Sequence, residues 1–158
     1  MTKPTIFLRI AAVLALVHAL LHTIGGVFGD PSPGPAAAAV QAMKINQFLV
    51  PGHARTYWDF YRGFGLAVTI FLTAEAVIFW QLAALAETDA RRLRPILATF
   101  LVGYGVLALN SYAYFFVGPV VAELGIVVCL GLAMAYVGSP KPASDNRYYV
   151  NFQGSGSV

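Results

Sequence analysis

His18 and His22 stand four residues apart inside an apolar segment long enough to cross a bilayer. On a helix that spacing puts both imidazoles on one face. A membrane span needs no histidine to insert, so two on one stripe call for partners or for chemistry. Three uses suit them. The first is interhelical hydrogen bonding, with Asn110 or Glu123 as partner, that holds a bundle together. The second is acid–base catalysis on a lipophilic substrate, because a histidine beside a carboxylate such as Glu123 moves a proton at neutral pH. The third is metal or haem ligation. Two histidines at i,i+4 can share one metal, but a further ligand is then needed from Glu123 or His53. Haem fits less well, since its axial ligands approach from opposite sides and adjacent turns of one helix cannot both reach one iron. No cofactor is therefore expected.

A second group lies at residues 53–62, His-Ala-Arg-Thr-Tyr-Trp-Asp-Phe-Tyr-Arg. Asp59 and Arg62 at i,i+3 either pair with one another or capture a ligand head group. Tyr57, Trp58 and Tyr61 suit the aromatic belt at a membrane–water interface. With His53, the residues Tyr57, Trp58, Asp59 and Arg62 are the expected ligand entrance.

The elements that must position these groups follow from composition. The 158 residues are 58% hydrophobic and 11% charged. Soluble domains carry about 25% charged residues, so this chain lacks the charge to coat a soluble surface. The apolar residues come in long runs, the signature of membrane spans. Four spans are expected, at about residues 5–27, 57–85, 95–116 and 119–137, forming an antiparallel four-helix bundle in one all-α membrane domain. Residues 28–35 hold three prolines and two glycines and are expected to end the first helix and exclude another. The alanine-rich stretch 36–50 is too short and too polar to span, so it is expected as a surface helix or lid within the loop 28–56. Residues 139–158 read as a polar tail. Its end resembles the remnant of a cleaved protease site followed by a Gly/Ser linker, and no function is assigned to it.

The net charge is +3. The basic residues cluster at the ends of apolar runs, where they set topology. No basic patch is interleaved with exposed aromatics, so nucleic acid is not an expected partner. Lys3, Arg9, Arg91, Arg92, Arg94, Lys141 and Arg147 favour both termini inside, while Lys44, Arg55 and Arg62 dissent mildly. The expected location is the bacterial inner (cytoplasmic) membrane. The one cysteine, Cys129, lies in an apolar run and reads as a small buried side chain.

That topology lets depth be counted. At about 1.5 Å per residue, His18 falls about 3 Å and His22 about 9 Å outward of the midplane, with Asn110 at about 6 Å and Glu123 at about 7 Å. Four polar groups from three helices thus share a slab in the outer leaflet. Glu75 falls below the midplane, outside this group. Polar side chains at such depth cost a few kcal/mol each when they face lipid, so they are expected to face inward together.

Histidine and glutamate inside a four-span bundle is, as a general arrangement, similar to the small sterol isomerases of the emopamil-binding group. The Arg-x-x-x-Asn-x-x-Glu pattern of small glutathione-dependent four-span enzymes does not occur here. The leading expectation is a protein that holds a lipophilic small molecule in a polar pocket, with His18 and His22 as acid or base and Glu123 and Asn110 as partner and orienter. Isomerisation, cyclisation or hydrolysis would suit such a site. The alternative is a non-catalytic subunit of a larger membrane complex, or a homo-oligomer, whose polar groups are interhelical glue.

Overall fold

A computed structural model describes residues 2–137. The tail at 139–158, with its linker-like end, lies outside the described residues. The described residues are helical apart from one two-stranded hairpin and the connecting segments. Among the described residues, three stretches are long and apolar enough to cross a membrane: Lys3–Val27, Tyr57–Tyr114 and Val117–Val137.

The first stretch is α1 (Lys3–Leu21), with Pro4 in its first turn, where a missing N–H costs nothing. It continues as a π-helical turn, His22–Val27, closed by the Phe28 amide on the Thr23 carbonyl at 3.0 Å. A uniform helix was expected here. The wider turn begins at His22, one of the two residues singled out above, and such turns often mark functional positions.

Between the first and second stretches, one helix over 36–50 was expected. Two elements stand there instead. A short helix, α2 (Pro35–Ile45), is followed by strands β1 (Gln47–Val50) and β2 (His53–Thr56), paired antiparallel with Val50 opposite His53. The two-residue turn is Pro51-Gly52, with Gly52 at φ +85°. Proline fixes its own φ near −65° and glycine supplies the positive φ that a type II turn needs. Phe48 of β1 lies 4.9 Å from both the Tyr57 and Phe60 rings and so holds the hairpin on the start of α3.

The second stretch holds α3 (Tyr57–Asp89), a short 3₁₀ turn at Ala90–Leu93, and α4 (Arg94–Tyr114). At 33 residues α3 is about 50 Å long, well beyond the ~30 Å hydrocarbon core, so it extends into the interface. The second span, expected to end near residue 85, is longer than that. Helix runs to Asp89, and Arg92 pairs with Asp89 at 2.8 Å on the exposed turn. Phe79 meets Phe100 and Glu75 meets Tyr104, which requires the chain to double back between them. The third stretch is α5 (Val117–Val137).

In cross-section α1 packs between α3 and α5, and α4 packs on α5. Alanines 11, 15, 83 and 133 are fully buried and let the backbones approach. Phe79, Leu8, Leu97, Ile126 and Leu130 fill the space between them. Outward faces carry large apolar side chains such as Phe64, Phe71, Val102 and Leu109, as a lipid-facing surface requires.

Candidate functional site

Glu123 is 2% exposed in the first turns of α5. Its Oε1 accepts a hydrogen bond from the Ser111 hydroxyl of α4 at 2.8 Å. Its Oε2 is buried and has no hydrogen-bond partner among the described residues. His18 is half-buried on α1, and its Nδ1 is likewise buried without a partner. The two residues sit at one level. A side chain at Gly125 would touch Leu14, and Phe7 stacks on Tyr136, so α1 and α5 run antiparallel in a fixed register. One turn on from Leu14 brings His18 to within about a turn of Glu123 along the bundle.

His22 faces a different neighbour. Its Nε2 lies 3.0 Å from the Gly65 carbonyl of α3. A carbonyl only accepts, so Nε2 carries the hydrogen. Around this bond runs a polar seam between α1 and α3. The Thr23 hydroxyl donates to the Ala19 carbonyl at 2.6 Å and meets the Thr69 hydroxyl at 2.9 Å. Tyr61 donates to the Gly26 carbonyl at 3.2 Å. The close approach depends on Gly65, where an added Cβ would lie 2.8 Å from Val27 Cγ2. His22 thus joins two helices, which is the interhelical role among the three weighed above.

Asn110 is not beside Glu123. It is exposed on α4, and the adjacent Ser111, 2% exposed, takes the inward position. Depth counting cannot separate them, because one step along a helix changes depth by about 1.5 Å but rotates the side chain by about 100°. A second pair was also missed. Tyr104, 2% exposed on α4, donates its hydroxyl to Glu75 Oε2 of α3 at 2.5 Å. Tyr104 lies seven residues before Ser111, about 10 Å deeper along α4, so Glu75 does sit apart from the upper group. Its partner had no distinct sequence signal, since Tyr104 stands among apolar residues and glycines.

The expected entrance residues lie at the start of α3 and in the hairpin. Asp59 accepts from the Thr56 amide at 2.8 Å while its own amide donates to the Thr56 hydroxyl at 3.0 Å, a reciprocal capping box that starts α3. Arg62 makes no ion pair with Asp59; its guanidinium lies 4.9 Å from the centroid of the Phe28 ring. Trp58 stacks on Tyr61 at 5.2 Å and lies beneath Lys44. Tyr57 packs against Phe48, and His53 is exposed on β2. Among the described residues, no three His, Cys, Asp or Glu side chains come together as a metal site would need. His18, His22 and either Glu123 or His53 therefore do not supply a ligand set.

The upper slab offers a carboxyl oxygen and an imidazole nitrogen, each lacking a partner. A protonated Glu123 has one donor to give from Oε2, and His18 Nδ1 can donate or accept according to its tautomer. Comparison with protein-family models, curated proteins and solved structures finds no match.

Proposed function

We propose that this chain is a four-span protein of the bacterial cytoplasmic membrane, with both termini inside, that holds a lipophilic small molecule against polar groups in the outer half of its bundle and transfers a proton on it. Isomerisation, cyclisation or hydrolysis fits such a site. One observation carries the reading: His18 Nδ1 and Glu123 Oε2 are both buried, both unpartnered and at one level on packed helices. Buried polar atoms are nearly always satisfied, and in hydrocarbon an orphan costs more than in water. A ligand that meets both atoms removes that cost. His18 is the acid or base, Glu123 its carboxyl partner, and Ser111 fixes the carboxyl group. His22 is a positioning residue that sets α1 against α3. Lys3 lies over Tyr136, which puts the start of α1 and the end of α5 at one end of the bundle, opposite the hairpin, and the basic residues of that end favour the inside. The bilayer is the first partner, and nucleic acid is not one.

The test is solvent extraction of the purified full chain followed by mass spectrometry, for wild type, His18→Phe and Glu123→Gln. A near-stoichiometric lipophilic compound in the wild type, depleted in both variants, is expected. Identical extracts of bulk lipid and detergent from all three overturn the reading.

The non-catalytic reading, a subunit of a larger membrane complex or homo-oligomer, is favoured by the bonds His22–Gly65, Thr23–Thr69 and Tyr104–Glu75, each of which ties one helix to another. It predicts that replacing His18 lowers stability as replacing His22 does.

A further inference from the structure

A second polar feature lies where α2, the chain after the π-turn and the start of α3 meet. A cavity of about 200 Å³ opens there, lined by Phe28, Asp30, Lys44, Trp58 and Arg62 among others. Drug-sized ligands occupy about 300–1,000 Å³, so this volume suits a head group rather than a whole apolar molecule. Lys44 Nζ lies 5.1 Å from the Trp58 ring centroid, and the Arg62 guanidinium 4.9 Å from that of Phe28. The rings hold the two cations by their faces. Neither cation makes a hydrogen bond or an ion pair among the described residues, so their N–H groups are available to an acceptor. The nearby Asp59 carboxylate is committed to the Thr56 amide. Asp30 adds one acidic group to the lining.

We propose that this cavity binds a zwitterionic phosphoester, with the phosphate on Lys44 and Arg62 and a primary amine on Asp30. Planar guanidinium and point-charge ammonium together match a phosphate oxygen set. The rings of Phe28 and Trp58 are already covered by cations, so they do not form a cage for a quaternary amine, and ethanolamine is preferred to choline. The exposed aromatics Tyr57, Phe60 and Phe64 stand near the level of Arg62 along α3, on other faces of the helix, and fit the head-group level of a bilayer, which makes a phospholipid the favoured source. The inference is independent of proton chemistry at His18 and Glu123.

Trp58 and Trp80 are the two tryptophans of the chain, so a Trp80→Phe background leaves Trp58 as the reporter. The detergent-solubilised full chain is titrated with dihexanoyl phosphatidylethanolamine, its phosphatidylglycerol counterpart, and chain-free glycerophosphoethanolamine. Saturable change in Trp58 emission is expected with phosphatidylethanolamine. Lys44→Ala and Arg62→Ala should each weaken it by about tenfold or more, and Arg62→Lys by less. Asp30→Asn should abolish the preference over phosphatidylglycerol. Binding of the chain-free head group as tightly as the lipid supports the site with a soluble source; binding of the lipid alone supports it with the bilayer as source. A non-saturable change, or an unchanged isotherm in a folded Lys44→Ala/Arg62→Ala variant, overturns the proposal, as does equal binding of both lipids before Asp30 is altered.

Discussion

The Ser111 hydroxyl reaches Glu123 Oε1 across the α4–α5 contact at 2.8 Å and leaves Oε2 buried and unpartnered. This half-satisfied carboxyl group is coupled to its partner in a measurable way. Ser111→Ala and Glu123→Leu should each lower thermal stability in detergent, and the double variant should lose less than the sum. Interhelical bonds in membrane bundles are worth about 0.6 kcal/mol on average and up to about 1.7, so a coupling of that size is expected. A coupling near zero would mean that the bond does not persist in the membrane protein.

His18 and His22 should behave oppositely. His22→Phe removes the Nε2 bond to Gly65 and leaves α1 less firmly seated on α3, lowering stability by about 1 kcal/mol. His18→Phe replaces a buried orphan nitrogen with apolar surface, so stability should be unchanged or raised. Melting curves of the two variants in the same detergent decide this. A drop for His18→Phe as large as that for His22→Phe favours the non-catalytic reading.

Gly65→Ala should separate α1 from α3. The new methyl would sit 2.8 Å from Val27 Cγ2, and overpacking of this kind costs about 1–3 kcal/mol. Val27→Ala in the same chain should restore most of the loss, because it removes the atom that is struck. If Gly65→Ala melts with wild type, the helices do not approach as closely as described.

Thr56→Ala should lose the hydroxyl that accepts from the Asp59 amide and destabilise the first turn of α3 by about 1 kcal/mol, whereas Thr56→Ser should keep it. Amide hydrogen exchange at residues 57–61 reads this directly. Equal protection in both variants would detach Asp59 from its capping role and leave it available as an entrance residue.

Tyr104→Phe should leave Glu75 without its donor and lower stability by about 1 kcal/mol, with Glu75→Gln partly restoring the variant. Thermal melts of the single and double variants check it. No effect in either would place the pair outside the packed interior.

Much of the architecture follows from the sequence because long apolar runs with few charges have one physical outcome in water: burial in lipid as helices. The runs, the Pro/Gly break after Val27, Pro95 in the first turn of α4 and the level shared by His18 and Glu123 are all consequences of composition and spacing. The hairpin β1–β2 was signalled by Pro51-Gly52, but four-residue strands beside an alanine-rich run are easily absorbed into a helix when read by hydropathy. Helix rotation was beyond reach. Apolarity surrounds each span on every side, so no periodic stripe distinguishes the bundle interior from the lipid face. Depth therefore pointed to Asn110 without separating it from Ser111, and nothing set Tyr104 apart from its apolar neighbours.

Only packing decided which of the paired polar residues are partners. His22 turned toward α3 because Gly65 leaves room for α1, and Ser111 rather than Asn110 met Glu123 because α4 rotates it inward. The sequence by itself determined an apolar helical protein and led to the expectation of histidine and glutamate at one depth. The tertiary structure decided that His22 is bonded while His18 Nδ1 and Glu123 Oε2 are not, since hydrogen bonding depends on the direction of each side chain and depth alone does not set direction.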